Sequence, residues 1–326
     1  MTTLADSWQR QINYLRISVT DHCNLKCVYC SAGELKPLSH DDILTYEEIT
    51  RLIEAATGLG ISKVRLTGGE PLLRPNVSRL VRMVAQVPGI DDLSLTTNGT
   101  QLDRFAAELK VAGLDRVNVS LDTLRPDRFK KITGVIKLET VLAGIEAARR
   151  VGLTPVKINM VVMRGVNDDE VVDFARKTVH QGWNVRFIEF MPFGDANASY
   201  GTVPSAEIAE RITAALGPLL PHASKTGNGP ARYYRLCGAA GTVGFISAIT
   251  EHFCASCNRL RVTADGHLRP CLLDDDEVDI KAALRRGAGA DELRGIMQQA
   301  VAGKRERHHL SEGLAAPARS MRQIGG

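Results

Sequence analysis

Short apolar segments alternate with amphipathic segments through the first two thirds of the chain. Six of the apolar segments are predicted strands, and they recur about every 30 residues, which is the length of one strand–helix unit. They are Tyr14–Val19, Lys63–Thr67, Leu93–Thr97, Arg116–Leu121, Val156–Val162 and Val185–Phe190. This repetition predicts an α/β fold with a parallel sheet and right-handed crossovers. Because a closed barrel has eight such units, six predict a partial, TIM-like (β/α)6 barrel.

The amphipathic segments between these strands are predicted helices that cover the sheet. The clearest are Tyr46–Leu59, Gln101–Ala112, Leu138–Val151 and Asp169–Gln181. Thr45 and Glu48 have the spacing of a capping box at the start of the first helix. Gly113 and Gly152 follow two of the helices, at the position where a left-handed residue commonly ends a helix.

The last third of the chain has a different pattern and is predicted to form a smaller α+β module. The segment from Leu220 to Pro230 is rich in Pro, Gly, Ser and Asn, which is typical of a linker. We therefore expect two domains, residues 1–220 and residues 221–326. The second domain contains three predicted strands and one predicted helix: Arg232–Leu236, Thr242–Ile246, Arg259–Thr263 and Asp291–Leu310.

Charge and composition argue against several classes of protein. The net charge of +4 is mild and does not require nucleic acid as a partner. The N-terminal residues lack the apolar core of a signal peptide, and no run of about 18 apolar residues predicts a membrane helix. The Gly-x4-Gly-Lys-Ser/Thr loop of many nucleotide-binding regulators is absent. We expect a cytoplasmic protein that binds neither nucleic acid nor membrane.

Three of the seven cysteines lie within eight residues, on the loop after the first predicted strand. Cytosolic thiols stay reduced, so disulfides are not expected. Barrels of this kind place their active sites at this edge of the sheet. A 4Fe–4S cluster normally takes four thiolates, so Cys23, Cys27 and Cys30 would leave one iron open for another ligand. Zinc with His22 as fourth ligand is the alternative, but His22 adjoins Cys23 and the spacing is unusual for zinc.

The second triplet lies far along the chain and consists of Cys254, Cys257 and Cys271. Its x2 and x13 spacing suits a zinc site with His252 or His267 as fourth ligand. It also suits a second 4Fe–4S cluster with an open iron. The spacing alone leaves both alternatives open. The remaining cysteine, Cys237, stands alone and is expected to be a small apolar filler.

Several cations are predicted to face the inside of the barrel. Neighbouring strand residues point to opposite faces, so Arg16 points away from the helices that Leu15 and Ile17 contact. The same alternation turns further cations inward, namely Arg65, Lys157 and Arg186, and it places Arg259 and Arg261 on one face of a later strand. Buried cations need anionic partners. A bound polyphosphate or carboxylate is one solution, and arginine suits phosphate well. Internal carboxylates are the other, and the candidates are Glu70, Asp122 and Glu189.

The Cys-x3-Cys-x2-Cys loop after a first strand resembles the radical S-adenosylmethionine superfamily. Tyr29 fits that family's aromatic residue before the third cysteine, whose backbone contacts the adenine. Other fitting stretches follow successive strands: Gly68-Gly69-Glu70-Pro71, Thr96-Thr97-Asn98-Gly99, Ser120-Leu121-Asp122 and Met191. The resemblance implies a 4Fe–4S cluster on Cys23, Cys27 and Cys30 that cleaves S-adenosylmethionine to a 5′-deoxyadenosyl radical. It implies S-adenosylmethionine contacts from Tyr29, Gly69, Ser120 and Met191.

The second triplet narrows the resemblance to the GTP 3′,8-cyclase family. The fitting stretches are Asn258-Arg259-Leu260-Arg261, Ala264-Asp265-Gly266, Leu268-Arg269-Pro270-Cys271 and the terminal Gly325-Gly326. That family converts GTP to (8S)-3′,8-cyclo-7,8-dihydroguanosine 5′-triphosphate, the first step of molybdenum cofactor biosynthesis. The resemblance implies a second 4Fe–4S cluster, with an open iron that binds guanine, on Cys254, Cys257 and Cys271.

The same resemblance implies roles for single residues and for partners. The implied GTP contacts are Arg16, Arg65, Thr96, Lys157, Arg186, Arg259, Leu260 and Arg261. The implied catalytic residues are Arg259, Arg261, Gly325 and Gly326, since the family's tail reaches back into the active site. An electron donor such as flavodoxin or ferredoxin is expected, as is transfer of the product to cyclic pyranopterin monophosphate synthase. Pro192-Phe193 departs from the family pattern, and Cys237 stands where proline is common.

Three other classes of protein fit the sequence less well. A peptide-modifying radical enzyme with extra clusters usually carries more than three auxiliary cysteines. A ferredoxin-like carrier needs four ligands for each cluster and has no use for inward cations. A nucleotide-binding regulator with structural zinc lacks support because its phosphate-binding loop is absent.

Overall fold

A computed structural model describes residues 3–30, 37–192, 200–223, 227, 229–308 and 319–325. Its strands are β1 (Tyr14–Ser18), β2 (Lys63–Thr67), β3 (Asp92–Thr97), β4 (Arg116–Ser120), β5 (Lys157–Arg164), β6 (Asn184–Glu189), β7 (Gly201–Thr202), β8 (Leu220–Pro221), β9 (Arg232–Arg235), β10 (Thr242–Ile246), β11 (Arg259–Val262), β12 (His267–Arg269) and β13 (Val278–Asp279). Its helices are α1 (Tyr46–Thr57), α2 (Val77–Ala85), α3 (Leu102–Val111), α4 (Pro126–Thr133), α5 (Leu138–Arg150), α6 (Val171–His180), α7 (Ser205–Leu216), α8 (Lys281–Arg285), α9 (Ala290–Ala302) and α10 (Met321–Ile324).

The six predicted strands β1 to β6 pair side by side in chain order, and every pair is parallel. Alternate strand residues such as Leu15 and Ile17 are fully buried in the core between sheet and helices. Their neighbours, such as Arg16, face the other side of the sheet. The α/β fold with a partial, TIM-like barrel is therefore confirmed.

Strands from the last third of the chain extend the barrel at both of its edges. β11 pairs in parallel with β1, and β10 pairs in parallel with β6. β12 and β13 continue antiparallel beyond β11, while β9 and β8 continue beyond β10. An edge strand exposes unpaired backbone groups, which these additions satisfy. One sheet therefore crosses residue 220, and the division into domains 1–220 and 221–326 stays a prediction.

Local signals in the sequence also correspond to the structure. The Glu48 amide donates to the Thr45 hydroxyl at 3.1 Å, and the Thr45 amide donates to the Glu48 carboxylate at 2.7 Å. This reciprocal pair confirms the capping box at α1. Gly113 and Gly152 have φ values of 104° and 76°, so both take the left-handed conformation expected after a helix.

Two boundaries differ from the predictions. The predicted linker that starts at Leu220 begins with β8, which pairs with β9. The helix predicted for Asp291–Leu310 ends at Ala302, and Leu310 lies outside the described residues. Beyond that helix the buried Lys304 donates to the carbonyl oxygen of Arg259 at 3.2 Å, so the chain turns back toward β11 instead of continuing as a helix. None of the described helices combines the length and the apolar character needed to cross a membrane.

Candidate active site

The first cysteine triplet lies on the loop after β1 and lines a cavity at the carboxyl ends of the barrel strands. The cavity wall includes the predicted S-adenosylmethionine contacts and one predicted GTP contact: Tyr29, Gly69, Thr96, Ser120 and Met191. Successive parallel strands end at the same edge of a sheet, which explains why residues so far apart in sequence meet here. The structure thus brings these predicted residues together around Cys23, Cys27 and Cys30.

The three thiols form a donor set that calls for a metal centre. Burial raises the pKa of each thiol, and the neighbouring sulfurs raise those of Cys27 and Cys30 further, that of Cys30 to about 12. A bound metal centre reverses this effect by stabilising thiolates. Within the described residues, no group of three or more His, Cys, Asp or Glu side chains is arranged around one metal ion. Cluster ligands attach to separate irons and need not converge on one point. The His22 ring is half-exposed and lies 3.3 Å from the Leu38 carbonyl oxygen.

Two glycines hold the loop after β2 against the cysteine loop. A Cβ on Gly68 would lie 2.4 Å from the Thr20 carbonyl oxygen, and one on Gly69 would lie 2.3 Å from that of His22. The Gly69 amide donates to Thr20 at 2.7 Å. The close approach that requires these glycines is to the backbone just before Cys23, because any side chain would separate the two loops.

Glu70 fixes the loops that follow β2 and β3. Its fully buried carboxylate accepts hydrogen bonds from the Leu72 amide at 3.0 Å, the Thr97 hydroxyl at 2.8 Å and the Asn98 amide at 2.7 Å. Burial nevertheless raises the pKa of Glu70 to about 7. The Asn98 side chain in turn donates to the Cys23 sulfur at 3.8 Å. Glu70 therefore stabilises the two loops beside the first triplet.

Asp122 and Glu189 have similar roles at other strand ends. Asp122 accepts from the Tyr29 hydroxyl at 2.7 Å and from the Val161 amide at 2.9 Å. Glu189 accepts from the amides of Ser205, Ile249 and Thr250 at 3.1, 2.9 and 2.9 Å. These carboxylates were the candidates for internal pairing with the barrel cations. Because they bind loop amides and hydroxyls, a bound anion is favoured as the partner of the cations.

The second triplet lines an adjoining cavity whose wall includes two predicted GTP contacts, Arg259 and Arg261. Met191 and Leu272 line this cavity and also the first one. Burial would raise the pKa of Cys257, but the charges of Arg259 and Lys304 outweigh it and lower that pKa to about 6. Cys257 is therefore prepared to act as a thiolate ligand. The two cavities adjoin at these shared residues, with one triplet in the wall of each, and together they are referred to as the chamber.

The histidines near the second triplet differ from those expected. His308 is buried and lines the cavity, where its ring lies 2.9 Å from the Ala248 carbonyl oxygen. His252 stacks edge-on against His308 at 5.6 Å between ring centroids. His267 instead pairs with Asp265 at 3.4 Å. Sequence spacing identified His252 and His267 but missed His308, because the chain returns to the triplet only after α9.

The predicted cations line the barrel below these cavities. Arg16 lies opposite Arg65 on the neighbouring strand, and opposite Arg261 on the other side. Arg65 donates to Ser94 at 3.1 Å, and Arg186 donates to Asn159 and Asn118. Burial and neighbouring cations lower the pKa of Arg16, and they lower that of Lys157 to about 6 and those of Arg65 and Arg261 to about 10. A polyanion would relieve this crowding of positive charge.

The C-terminal tail reaches the same place. The carbonyl oxygen of Gly325 accepts hydrogen bonds from Arg16 at 3.2 Å and from Arg261 at 3.4 Å. Met321 and Arg322, in α10, line the first cavity. Gly326 lies outside the described residues, as does Phe193. The tail therefore lies between residues predicted to contact GTP.

Three further residues named in the predictions differ in their surroundings. The Thr96 hydroxyl is buried and has no hydrogen-bond partner in the part of the chain that the structure describes, so it can bind a ligand. The Leu260 side chain is fully buried in the core and faces away from the chamber, which leaves only its backbone for GTP. Cys237 is exposed after β9, so the expectation of a buried apolar filler was wrong.

Comparison with protein families agrees with this geometry. Residues 17–178 match the Radical SAM superfamily, and residues 183–310 match Molybdenum Cofactor Synthesis C. Two relatives, from Pelotomaculum thermopropionicum and Moorella thermoacetica, are both named GTP 3′,8-cyclase. Each is 53% identical over 326 residues, which is 99% of this chain and 100% of the relative.

Solved structures with a similar fold have much lower identity. Streptococcus suis SuiB bound to S-adenosylmethionine has a TM-score of 0.61 at 14% identity, with 89% of this chain and 68% of that chain covered. Native anSMEcpe with bound AdoMet has a TM-score of 0.54 at 16% identity, over 86% of this chain and 81% of that one. These structures support the fold alone. The full-length identity to the curated relatives shows that the chain belongs to the GTP 3′,8-cyclase family of radical S-adenosylmethionine enzymes.

Proposed function

We propose that this chain converts GTP to (8S)-3′,8-cyclo-7,8-dihydroguanosine 5′-triphosphate, the first step of molybdenum cofactor biosynthesis. The observation that carries the proposal is the pair of adjoining cavities, one at each cysteine triplet, which share Met191 and Leu272 in their walls. The barrel below this chamber is lined by buried cations. Such an arrangement suits a nucleotide with its base at one triplet, its ribose near the other and its phosphates in the barrel.

Each cysteine triplet holds one 4Fe–4S cluster in this proposal. Three thiols at each site leave one iron open, for S-adenosylmethionine at Cys23, Cys27 and Cys30 and for GTP at Cys254, Cys257 and Cys271. When bound, the first cluster and S-adenosylmethionine supply the radical chemistry of the reaction. The protein's part is to hold the ligands and exclude water. Glu70 and Asn98 keep the first triplet's loop in place.

S-adenosylmethionine is positioned by the walls of the first cavity. Tyr29 is held through its hydroxyl by Asp122, so its backbone is fixed for contact with the adenine. Gly69, Ser120 and Met191 line the same cavity at the ends of other strands. Rigid strand ends suit this task, because positioning of reactants contributes strongly to the rate.

GTP is bound along the barrel axis. Arg259 and Arg261 lie beside the second triplet and are assigned to the guanine end, with the backbone of Leu260 between them. The unpartnered hydroxyl of Thr96 is assigned to the nucleotide in the first cavity. The triphosphate is assigned to the cations deeper in the barrel: Arg16, Arg65, Lys157 and Arg186. Arginine donates two parallel hydrogen bonds to phosphate, which suits this role.

The tail completes the site. Gly325 is placed between Arg16 and Arg261 by two hydrogen bonds to its carbonyl oxygen. We assign Arg259, Arg261, Gly325 and Gly326 to the catalytic set on this placement and on the family resemblance. An electron donor such as flavodoxin or ferredoxin is part of the proposal, as is delivery of the product to cyclic pyranopterin monophosphate synthase.

A turnover experiment tests the proposal. Anaerobically reconstituted protein with dithionite, S-adenosylmethionine and GTP is expected to yield 5′-deoxyadenosine and a cyclised nucleotide. The Cys254→Ser variant is expected to keep the iron of the first cluster but to lose cyclisation, since only the second triplet is damaged. Recovery of intact GTP, with 5′-deoxyadenosine formation unaffected by its presence, would refute the substrate assignment.

A further inference from the structure

Arg116 is a further barrel cation, outside the set predicted to contact GTP. It is the first residue of β4, where it lies opposite Ser94 of β3. Ser94 lies opposite Arg65, and Arg65 lies opposite Arg16. Residues opposite each other on paired strands face the same side of the sheet. Arg116 therefore ends a row of inward-facing residues that includes two of the proposed triphosphate contacts.

The surroundings of Arg116 leave one donor available. The side chain is 95% buried, and one of its terminal nitrogens, Nη2, donates to Asp92 at 2.7 Å. The other, Nη1, is buried and has no hydrogen-bond partner within the described residues. A buried, unpaired N–H of a charged group is costly, so such a donor usually has a ligand or water as its partner. Asp92 thus holds Arg116 in one orientation while Nη1 stays free to bind.

Arg116 and Lys157 meet at the floor of the barrel. Arg116 Nη2 and Lys157 Nζ lie 3.1 and 3.5 Å from the position that a Cβ on Gly227 would take. Arg116 also lies four residues below Ser120 of the first cavity, about 13 Å along the strand. A nucleotide whose ribose lies beside that cavity can reach Arg116 only with the far end of its phosphate chain.

We propose that Arg116, oriented by Asp92, donates from Nη1 to the terminal phosphate of GTP and thereby selects a triphosphate over shorter nucleotides. This inference rests on the proposed function, because it assumes that GTP occupies the barrel. It assigns Arg116 a role in specificity, and it assigns Asp92 a positioning role. The local charge supports it, since the charge of Arg116 acts on both Arg65 and Lys157, and Asp92 is the carboxylate that pairs with Arg116.

The test compares nucleotides of different phosphate number. Dissociation constants for GTP, GDP and GMP are measured by equilibrium dialysis on the reconstituted holoenzyme at one ionic strength. Arg116→Gln is expected to raise the Kd of GTP about tenfold or more, because a charge-assisted hydrogen bond is lost. The Kd of GMP is expected to stay unchanged. The matched control is Arg150→Gln, which removes an exposed arginine at the end of α5 and is expected to leave all three values unchanged.

Two more variants separate binding from folding. Arg116→Lys keeps the buried charge opposite Asp92 but removes the second donor. This variant is therefore expected to raise the Kd of GTP about threefold or more and to leave the Kd of GMP unchanged. Asp92→Asn is expected to raise the Kd of GTP less than Arg116→Gln does. Iron content and S-adenosylmethionine affinity serve as checks on folding. An equal rise in the Kd values of GTP, GDP and GMP in both Arg116 variants would overturn the inference, because it would show a structural role alone.

The comparison with Arg65→Gln identifies which claim has failed. Suppose that Arg65→Gln raises the Kd of GTP while Arg116→Gln leaves it within about twofold of the value for the unmodified protein. The inference on Arg116 is then wrong, and the proposed function stands. If neither variant raises the Kd of GTP, the placement of the triphosphate in the barrel is wrong, and the proposed binding mode fails with it.

Discussion

Arg16 and Arg261 donate to one shared atom, the carbonyl oxygen of Gly325. They lie opposite each other on the adjacent parallel strands β1 and β11, and their donor distances are 3.2 and 3.4 Å. Burial lowers the pKa of both guanidinium groups, and the charge of Arg261 lowers that of Arg16 further, as the charge of Arg259 does for Arg261. Two crowded, buried cations favour any group that offers negative charge. In the proposed binding mode, the tail carbonyl and the GTP phosphates therefore occupy neighbouring parts of the same cationic surface.

The tail is anchored by an ion pair at its base. Arg319 donates to both oxygens of Asp265, at 3.1 and 3.0 Å, and to Glu277 at 2.8 Å. Arg319→Ala should free the tail and lower kcat about tenfold or more, because misplacement of a catalytic group is costly. Iron content should stay unchanged. Arg176→Ala, which breaks an exposed pair with Asp173, is the control. An unchanged kcat in Arg319→Ala would show that other contacts suffice to place the tail.

GTP binding should take up a proton at Lys157. Burial, together with the charges of Arg186, Arg116 and Arg65, lowers the pKa of Lys157 to about 6, so the amine is largely neutral at pH 7.5 without an anion. Bound phosphate raises this pKa, so affinity for GTP should fall as the pH rises above about 6.

Calorimetry in buffers of different ionisation enthalpy measures this proton uptake directly. Lys157→Met should take up fewer protons per GTP than the unmodified protein does. The comparison removes the contribution of the nucleotide itself, since GTP is the same in both titrations. Equal proton uptake by the two proteins would contradict the assignment of Lys157 to the triphosphate.

Glu189 connects β6 with the loop that leads to the second triplet. Its carboxylate accepts from Ser205 on one side and from Ile249 and Thr250 on the other. Glu189→Ala leaves these buried donors without a partner and should lower Tm by about 5 °C or more. Iron at the second triplet should be lost before iron at the first. Glu189→Gln should lose less stability, and Glu139→Ala, at an exposed position in α5, should lose none. Loss of both clusters together would show a global effect instead.

Iron content tests the two-cluster assignment without any turnover. About eight irons per chain are expected, four for each 4Fe–4S cluster. Cys254→Ser should retain about four irons. One zinc and about four irons in the unmodified protein would mean that the second triplet holds zinc.

Local sequence patterns were sufficient for the barrel and for most of its inward-facing side chains. Strand alternation placed Arg16 on the face opposite to Leu15 and Ile17, as the structure shows. The cysteine loop could be located because it directly follows the first strand. These features depend only on residues close together in the sequence.

Contacts between distant parts of the chain could not be predicted in this way. Tyr14 pairs with Arg259 because β11 completes the edge at β1, and no local pattern encodes that register. Strand alternation with Val117 and Val119 turns Arg116 inward as well, but its place in the row of cations follows only from its pairing with Ser94. His308 reaches the second triplet only through the turn after α9.

The most direct test of the account follows one hydrogen atom. GTP deuterated at C3′ is incubated anaerobically with the reconstituted protein, S-adenosylmethionine and dithionite, and the 5′-deoxyadenosine is analysed by mass spectrometry. If the chamber holds the ribose of GTP beside S-adenosylmethionine, deuterium should appear in 5′-deoxyadenosine together with a cyclised nucleotide. Unlabelled 5′-deoxyadenosine with GTP recovered intact would contradict the account.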